Sequence, residues 1–223
     1  MRQCTRAACR FRFPVPADTD EGKICPHCGA AAPFATAPFG GEPTEASAAS
    51  GAPAGPLVEG LLDNIRSVFN VGAIFRTADG AGLRRLHLCG ITATPEHPKL
   101  PKTALGAETT VPWRYTTNAV DTARALLADG CRLWALEHNE RSEPLFAATP
   151  TVSGAGGDNT STVLIAGNEN AGVDPELLEL CERVLHIPMQ GAKESLNVAI
   201  AFGVAAYYLR YGSAVGKARD DVA

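Results

Sequence analysis

From Pro56 onward, short apolar blocks alternate with stretches of helical spacing. Residues 57–62 (LVEGLL) read as a first strand, followed by a polar turn at Asp63-Asn64. Apolar positions over residues 71–81 recur at helical intervals, with Asn70 placed to cap the helix start. Residues 86–91 form a second strand, and residues 92–112 are turn-rich, with Pro95, Pro98, Pro101 and Pro112. A helix over 119–128 stops at Asp129-Gly130, and residues 132–136 are the next strand. After a loop-like stretch at 153–161 (SGAGGDNTS), residues 163–167 (VLIAG) are continuously apolar. Such a run suits a strand buried on both faces of a parallel sheet. Residues 174–183 read as a helix, 184–187 as a short strand and 195–209 as a long last helix. The alternation predicts an α/β domain, a mostly parallel sheet flanked by helices.

The chain ahead of Pro56 has a different texture. Residues 35–55 (ATAPFGGEPTEASAASGAPAG) offer almost nothing to bury, which is a linker composition. The organisation expected is therefore a small module at 1–34, a linker at 35–55, a main domain at 56–212 and a tail at 213–223. An apolar content of 45% is enough for one good core and a small appendage. No segment approaches the ~18 consecutive apolar residues of a membrane span. The first residues lack the apolar run of a secretory signal, so a cytoplasmic location and no membrane partner are expected.

The net charge of −4 excludes a general polyanion binder. Its distribution is uneven. Residues 1–34 hold five basic side chains (Arg2, Arg6, Arg10, Arg12, Lys23) and three acidic ones (Asp18, Asp20, Glu21), a balance of +2, so the rest of the chain carries −6. Contact with nucleic acid would have to be local.

Four of the seven cysteines lie in this module as Cys4-x4-Cys9 and Cys25-Pro26-His27-Cys28-Gly29. Two close pairs at this separation can set four thiolates around one structural Zn²⁺, and Gly29 permits the tight turn that aims the sulfurs. His27 is expected to point away from the metal. The module can serve as an RNA contact, given its arginines with Phe11 and Phe13, or as a stabilising or protein-contacting knob. Cys89, Cys131 and Cys181 read as small buried hydrophobes.

Three segments of the main domain place polar groups where a plain core would not. They are 64–80 (NIRSVFNVGAIFRTADG), 165–173 (IAGNENAGV) and 187–201 (IPMQGAKESLNVAIA). Together, in this order, they resemble the three motifs of the SpoU/TrmH family of RNA ribose 2′-O-methyltransferases, over roughly residues 56–212. The resemblance implies a C-terminal trefoil knot, which general topology rules would disfavour. It also implies S-adenosylmethionine as methyl donor, tRNA or rRNA as substrate, and an active site at a homodimer interface.

By the same resemblance, Arg76, Asn70, Glu169, Ser195 and Asn197 are the catalytic set. Arg76 is either the base that activates the ribose hydroxyl or a clamp on the adjacent phosphate. A guanidinium titrates above ~12, which makes deprotonation costly and bidentate phosphate binding natural. Glu169 orients Arg76 or substrate; Asn70, Ser195 and Asn197 can cap helices as well. Leu136, Gly167, Ile187, Met189 and Leu196 match the positions that surround the donor. Gly167 is expected to let that ligand approach the main chain. No Gly-x-Gly-x-x-Gly follows a strand, so an ordinary Rossmann cradle is not indicated. One departure is Asn168, where Ser commonly precedes the glutamate. The alternative reading is a non-catalytic RNA-binding protein that keeps the fold.

Overall fold

The computed structural model describes residues 1–15, 21–35, 56–150 and 160–220, with side chains of the last helix to Gly212. The linker beyond Ala35, most of the loop at 153–161 and the last three residues lie outside the described residues. The chain divides into two compact units, Met1–Ala52 and Pro53–Ala223. In the first, strands β1 (Arg2–Gln3) and β2 (Arg12–Phe13) pair antiparallel. Its small core is Cys4, Cys25 and Ala32, with Cys9, Phe13 and Cys28 packed around them.

The second unit is built on seven strands: β3 (Val58–Asp63), β4 (Leu86–Cys89), β5 (Trp113–Thr116), β6 (Arg132–Leu136), β7 (Glu143–Pro144), β8 (Thr162–Ala166) and β9 (Arg183–His186). Their order is β5-β4-β3-β8-β6-β9-β7, and every ladder is parallel. Strand periodicity sends alternate residues to opposite faces. Leu164 and Ala166 join one core with α1 (Val68–Ala81) and α6 (Val198–Asp220). Val163 and Ile165 join another with α4 (Ala119–Ala128) and α5 (Pro175–Leu180). Because both faces of β8 are covered, its five residues are all buried, which explains the unbroken apolar run.

Several elements differ from the sequence expectation. Helix α1 starts earlier than residue 71: Ser67 caps it, its Oγ accepting from the Asn70 amide at 3.3 Å. Asn70 therefore sits inside the first turn, and its side chain is free for other work. The turn-rich stretch holds two single-turn helices, α2 (Pro101–Ala104) and α3 (Ala107–Thr110). Strand β5 escapes the apolar pattern because it is an edge strand whose last three residues are exposed. Helix α5 ends at Leu180, and Arg183 belongs to β9. Helix α6 begins at Val198, three residues beyond Ser195, and runs to Asp220, through much of the expected tail.

Helices α1 and α6 lie side by side and run the same way. Asn70 meets Asn197 at one end, Gly80 faces the Tyr207 hydroxyl further along, and Arg210 donates to the Ala81 carbonyl at the other end. This pairing brings the starts of both helices together at the carboxyl end of the sheet. Among the described residues no helix is long and apolar enough to cross a membrane.

Candidate functional site

A cavity of about 560 Å³ opens where β6, β8 and β9 end. Carboxyl ends of parallel strands are where α/β sheets place ligands. Its wall combines the strand ends, the turn after β8, the segment after β9 and the first residues of α6. All of Leu136, Gly167, Ile187, Met189 and Leu196 line it, together with Glu169, Ser195 and Asn197. The volume, and a lining that mixes apolar side chains with polar ones such as Glu137, Ser195 and Asn197, fit a nucleoside-sized ligand. Asn70 stands just outside this wall, lining a shallow depression with Arg66, Ser67 and Glu169.

A chain of hydrogen bonds joins the three motif segments at the mouth. The Glu169 carboxylate accepts from the amides of Arg66 (2.9 Å) and Ser67 (3.0 Å) and from Asn70 Nδ2 (2.9 Å). Asn70 Oδ1 in turn accepts from Asn197 Nδ2 at 3.0 Å. Asn197 Oδ1 caps α6, accepting from the amides of Ala199 and Ile200. The polarity of each amide follows from its neighbours. Backbone N–H groups demand the oxygen of Asn197, which leaves its nitrogen to donate to Asn70, whose own nitrogen then faces the carboxylate. Partial burial works to raise the Glu169 pKa, but the donors from Arg66, Ser67 and Asn70 outweigh it and hold the carboxyl below its ordinary value.

Glu169 thus orients Asn70 and the loop entering α1. It does not hold Arg76. Arg76 is exposed on α1, and its guanidinium has no hydrogen-bond or ion-pair partner among the described residues. Ser195 is exposed in the cavity wall and does not cap α6, which starts too late for it.

Asn168, the departure from the motif, has a clear local task. Its Oδ1 accepts from the amides of Asn170 and Ala171, folding the turn, while Nδ2 donates to the Asn64 carbonyl at 2.7 Å. A Cβ on Gly167 would lie 2.3 Å from the backbone of Gly172 and Val173. Glycine is therefore required by closure of this turn itself, before any ligand is considered. The sequence reading also overlooked Glu137, which lines the cavity and accepts from the amides of His138 (2.8 Å) and Val173 (3.0 Å). Its signal was position alone, the first residue after β6. His138 and His186 line the same wall, their rings 5.1 Å apart.

In the N-terminal unit the four sulfurs of Cys4, Cys9, Cys25 and Cys28 all lie within 4.8 Å of one another. The Cys4–Cys28 and Cys9–Cys25 pairs are 3.4 and 3.9 Å apart. Zn–S bonds of ~2.3 Å in a tetrahedron give sulfur separations of ~3.8 Å, so the cluster fits Zn²⁺ with no position open for catalysis. Gly29, at φ +72°, makes the turn behind the second pair, its amide donating to the Cys25 carbonyl at 2.9 Å. Burial pushes the Cys4 thiol up to about 12, against the Arg6 amide. The Ala30 amide and the Cys4 side chain bring Cys28 down to about 7. Metal binding at such thiols displaces protons. His27 does not turn away from the cluster as expected: its Nδ1 lies 3.4 Å from Cys9 Sγ.

Residues 60–207 match the SpoU rRNA Methylase family. Over 154 residues the chain is 34% identical to the 23S rRNA (guanosine(2553)-2′-O)-methyltransferase RlmP of Bacillus subtilis, covering 67% of this chain and 56% of that protein. It is 32% identical to the 23S rRNA (guanosine-2′-O-)-methyltransferase RlmB of Vibrio vulnificus, over 65% of this chain and 55% of that protein. The chain thus spans about half the length of the curated relatives it matches. The crystal structure of an AdoMet-bound rRNA methyltransferase from Sinorhizobium meliloti superposes with a TM-score of 0.63 at 29% identity, covering 70% of this chain and 56% of that one.

Proposed function

The chain belongs to the SpoU rRNA methylase family, and we propose that it transfers a methyl group from S-adenosylmethionine to a ribose 2′-hydroxyl of ribosomal or transfer RNA. The observation that carries this reading is the Glu169–Asn70–Asn197 chain, which ties all three motif segments together at the mouth of the cavity. A protein that only bound RNA would not need this coupling. The names of the curated relatives, rRNA guanosine 2′-O-methyltransferases, favour ribosomal RNA.

Leu136, Gly167, Ile187, Met189 and Leu196 would hold the donor through apolar surface and main-chain groups. S-adenosylmethionine bound there supplies an electrophilic methyl group. Ser195, in the cavity wall, and Asn70, at its mouth, would position the acceptor ribose, an alignment worth several kcal/mol of barrier. Arg76, with no carboxylate to neutralise it among the described residues, suits a bidentate grip on the phosphate beside that ribose better than a base.

The homodimer and the C-terminal knot belong to the same reading. Support for the dimer comes from the paired helices: Phe69 on α1, and Ile200, Tyr207 and Tyr211 on α6, leave 62%, 58%, 47% and 46% of their surfaces exposed. A second copy on that surface would bring its own Arg76 to the interface. The expected setting is the cytoplasm, with its RNA.

Incubation with labelled S-adenosylmethionine and bulk RNA tests the reaction. Label is expected in dinucleotides that resist alkaline cleavage, because a capped 2′-hydroxyl cannot attack its phosphate. Label found only in alkali-sensitive mononucleotides would overturn ribose as the acceptor.

A further inference from the structure

The N-terminal unit lies outside the segment that matches the family. Its surface carries a feature that a merely stabilising knob does not need. Phe11 is 42% exposed, yet its ring is held in a stack, 5.8 Å from Phe13 at 24° and 5.8 Å from His27 at 28°. Strand β2 fixes Phe13, and the metal knuckle fixes His27 through Cys9 Sγ. The orientation of an exposed aromatic face is thus set before any ligand arrives.

Positive charge surrounds this face. Arg10 precedes Phe11 and adopts a left-handed φ of +47°, a conformation uncommon for residues other than glycine. Its amide donates to the Arg6 carbonyl at 3.0 Å, so the two arginines share one turn beside the ring. Arg6, Arg10 and Arg12 are exposed, and their guanidinium groups have no hydrogen-bond or ion-pair partner among the described residues. Arg2 is the contrast: it is buried, lies over the Phe34 ring at 4.0 Å and donates to the Ala32 carbonyl. One arginine builds the unit, and three remain for something else. Residues 1–34 carry three acidic side chains, Asp18, Asp20 and Glu21, against five basic ones, a net of +2, whereas the chain beyond residue 34 carries a net −6.

An aromatic face for bases and unpaired guanidinium groups for phosphates are the two requirements of single-strand recognition. A folded acidic protein would use the charge but has no need of a pre-stacked ring. We propose that the N-terminal unit is a binding platform for single-stranded RNA, stacking a base on Phe11 while Arg6 and Arg10 hold the flanking phosphates. The methyl-transfer reading can fail without this one, because binding is measured without turnover.

The test uses the full, zinc-loaded chain and a fluorescein-labelled oligouridine of about 12 nucleotides, within the ~4–16 nucleotide footprint of such sites. Anisotropy titrations would run between 50 and 200 mM salt. Phe11→Ala is expected to weaken binding about tenfold or more, and Phe11→Tyr to restore it. The Arg6→Gln/Arg10→Gln pair is expected to flatten the log–log salt slope by about 1.4, at ~0.7 per single-strand phosphate contact. Zinc content checks each fold, and the surface arginine pair serves if Phe11→Ala loses its metal. Parent-like affinity in zinc-loaded Phe11→Ala, or an unchanged salt slope in the arginine pair, overturns the proposal and leaves the surface to a protein partner.

Discussion

Glu59 and His87 form a buried hydrogen bond in the main sheet, Oε2 to Nε2 at 2.8 Å, with 4% and 5% of their surfaces exposed. Burial works to raise the Glu59 pKa, but the His87 bond and charge outweigh it and hold the carboxyl below its ordinary 4.5. A lowered folded-state pKa contributes stability above the unfolded value, lost as pH falls through the folded one. In His87→Leu burial is opposed only by the lesser Ser161 hydrogen bond and Arg85 charge, so the shift is expected to turn upward. The variant is expected to lose about 3 kcal/mol at pH 7 and to recover part of it by pH 5.5, as the stranded carboxyl takes up a proton. Urea unfolding at the two pH values measures this, and a loss independent of pH would mean the carboxyl stays ionised in the folded variant. The same scale separates what was readable at single positions from what was not. Glu169, Asn70 and Asn197 stood out as polar residues in apolar surroundings. Their connection to one another did not, because it spans about a hundred residues of chain.

At the scale of elements, α1 divides its surface between two tasks. Asn70 faces Glu169 and α6, while Arg76, six residues on, is roughly 120° away around the helix. Removing Arg76 should therefore leave the cavity intact. Arg76→Ala is expected to abolish methyl transfer while donor affinity measured by calorimetry changes by less than about twofold. Loss of both would make Arg76 structural. Periodicity predicted this helix, but it set the cap at Asn70, just ahead of the apolar run that starts at Val71. The true cap, Ser67, precedes Val68 and an exposed Phe69, and those two blur the pattern. Edge strand β5 was lost for a related reason, since it has little to bury.

At the scale of the molecule, the zinc cluster and the cavity belong to separate compact units. Deleting residues 1–35 is expected to remove about one zinc per chain and leave S-adenosylmethionine affinity unchanged. Metal analysis and calorimetry decide it, and lost donor affinity would place the unit within the catalytic fold. The α/β class, the parallel sheet and the cluster of four cysteines were legible in the sequence, because each depends on local spacing: alternation, apolar runs, paired cysteines. The five positions in the cavity wall expected to surround the donor followed from the family resemblance, while Glu137 was missed. The single hydrogen-bonded chain of Glu169, Asn70 and Asn197, the parallel pairing of α1 and α6, and the isolation of Arg76 were decided only by the tertiary structure. They arise when β3 and β8 lie side by side and bring the turns that follow them to one edge. Local chemistry names the groups, but only strand order determines which of them come within a hydrogen bond of each other.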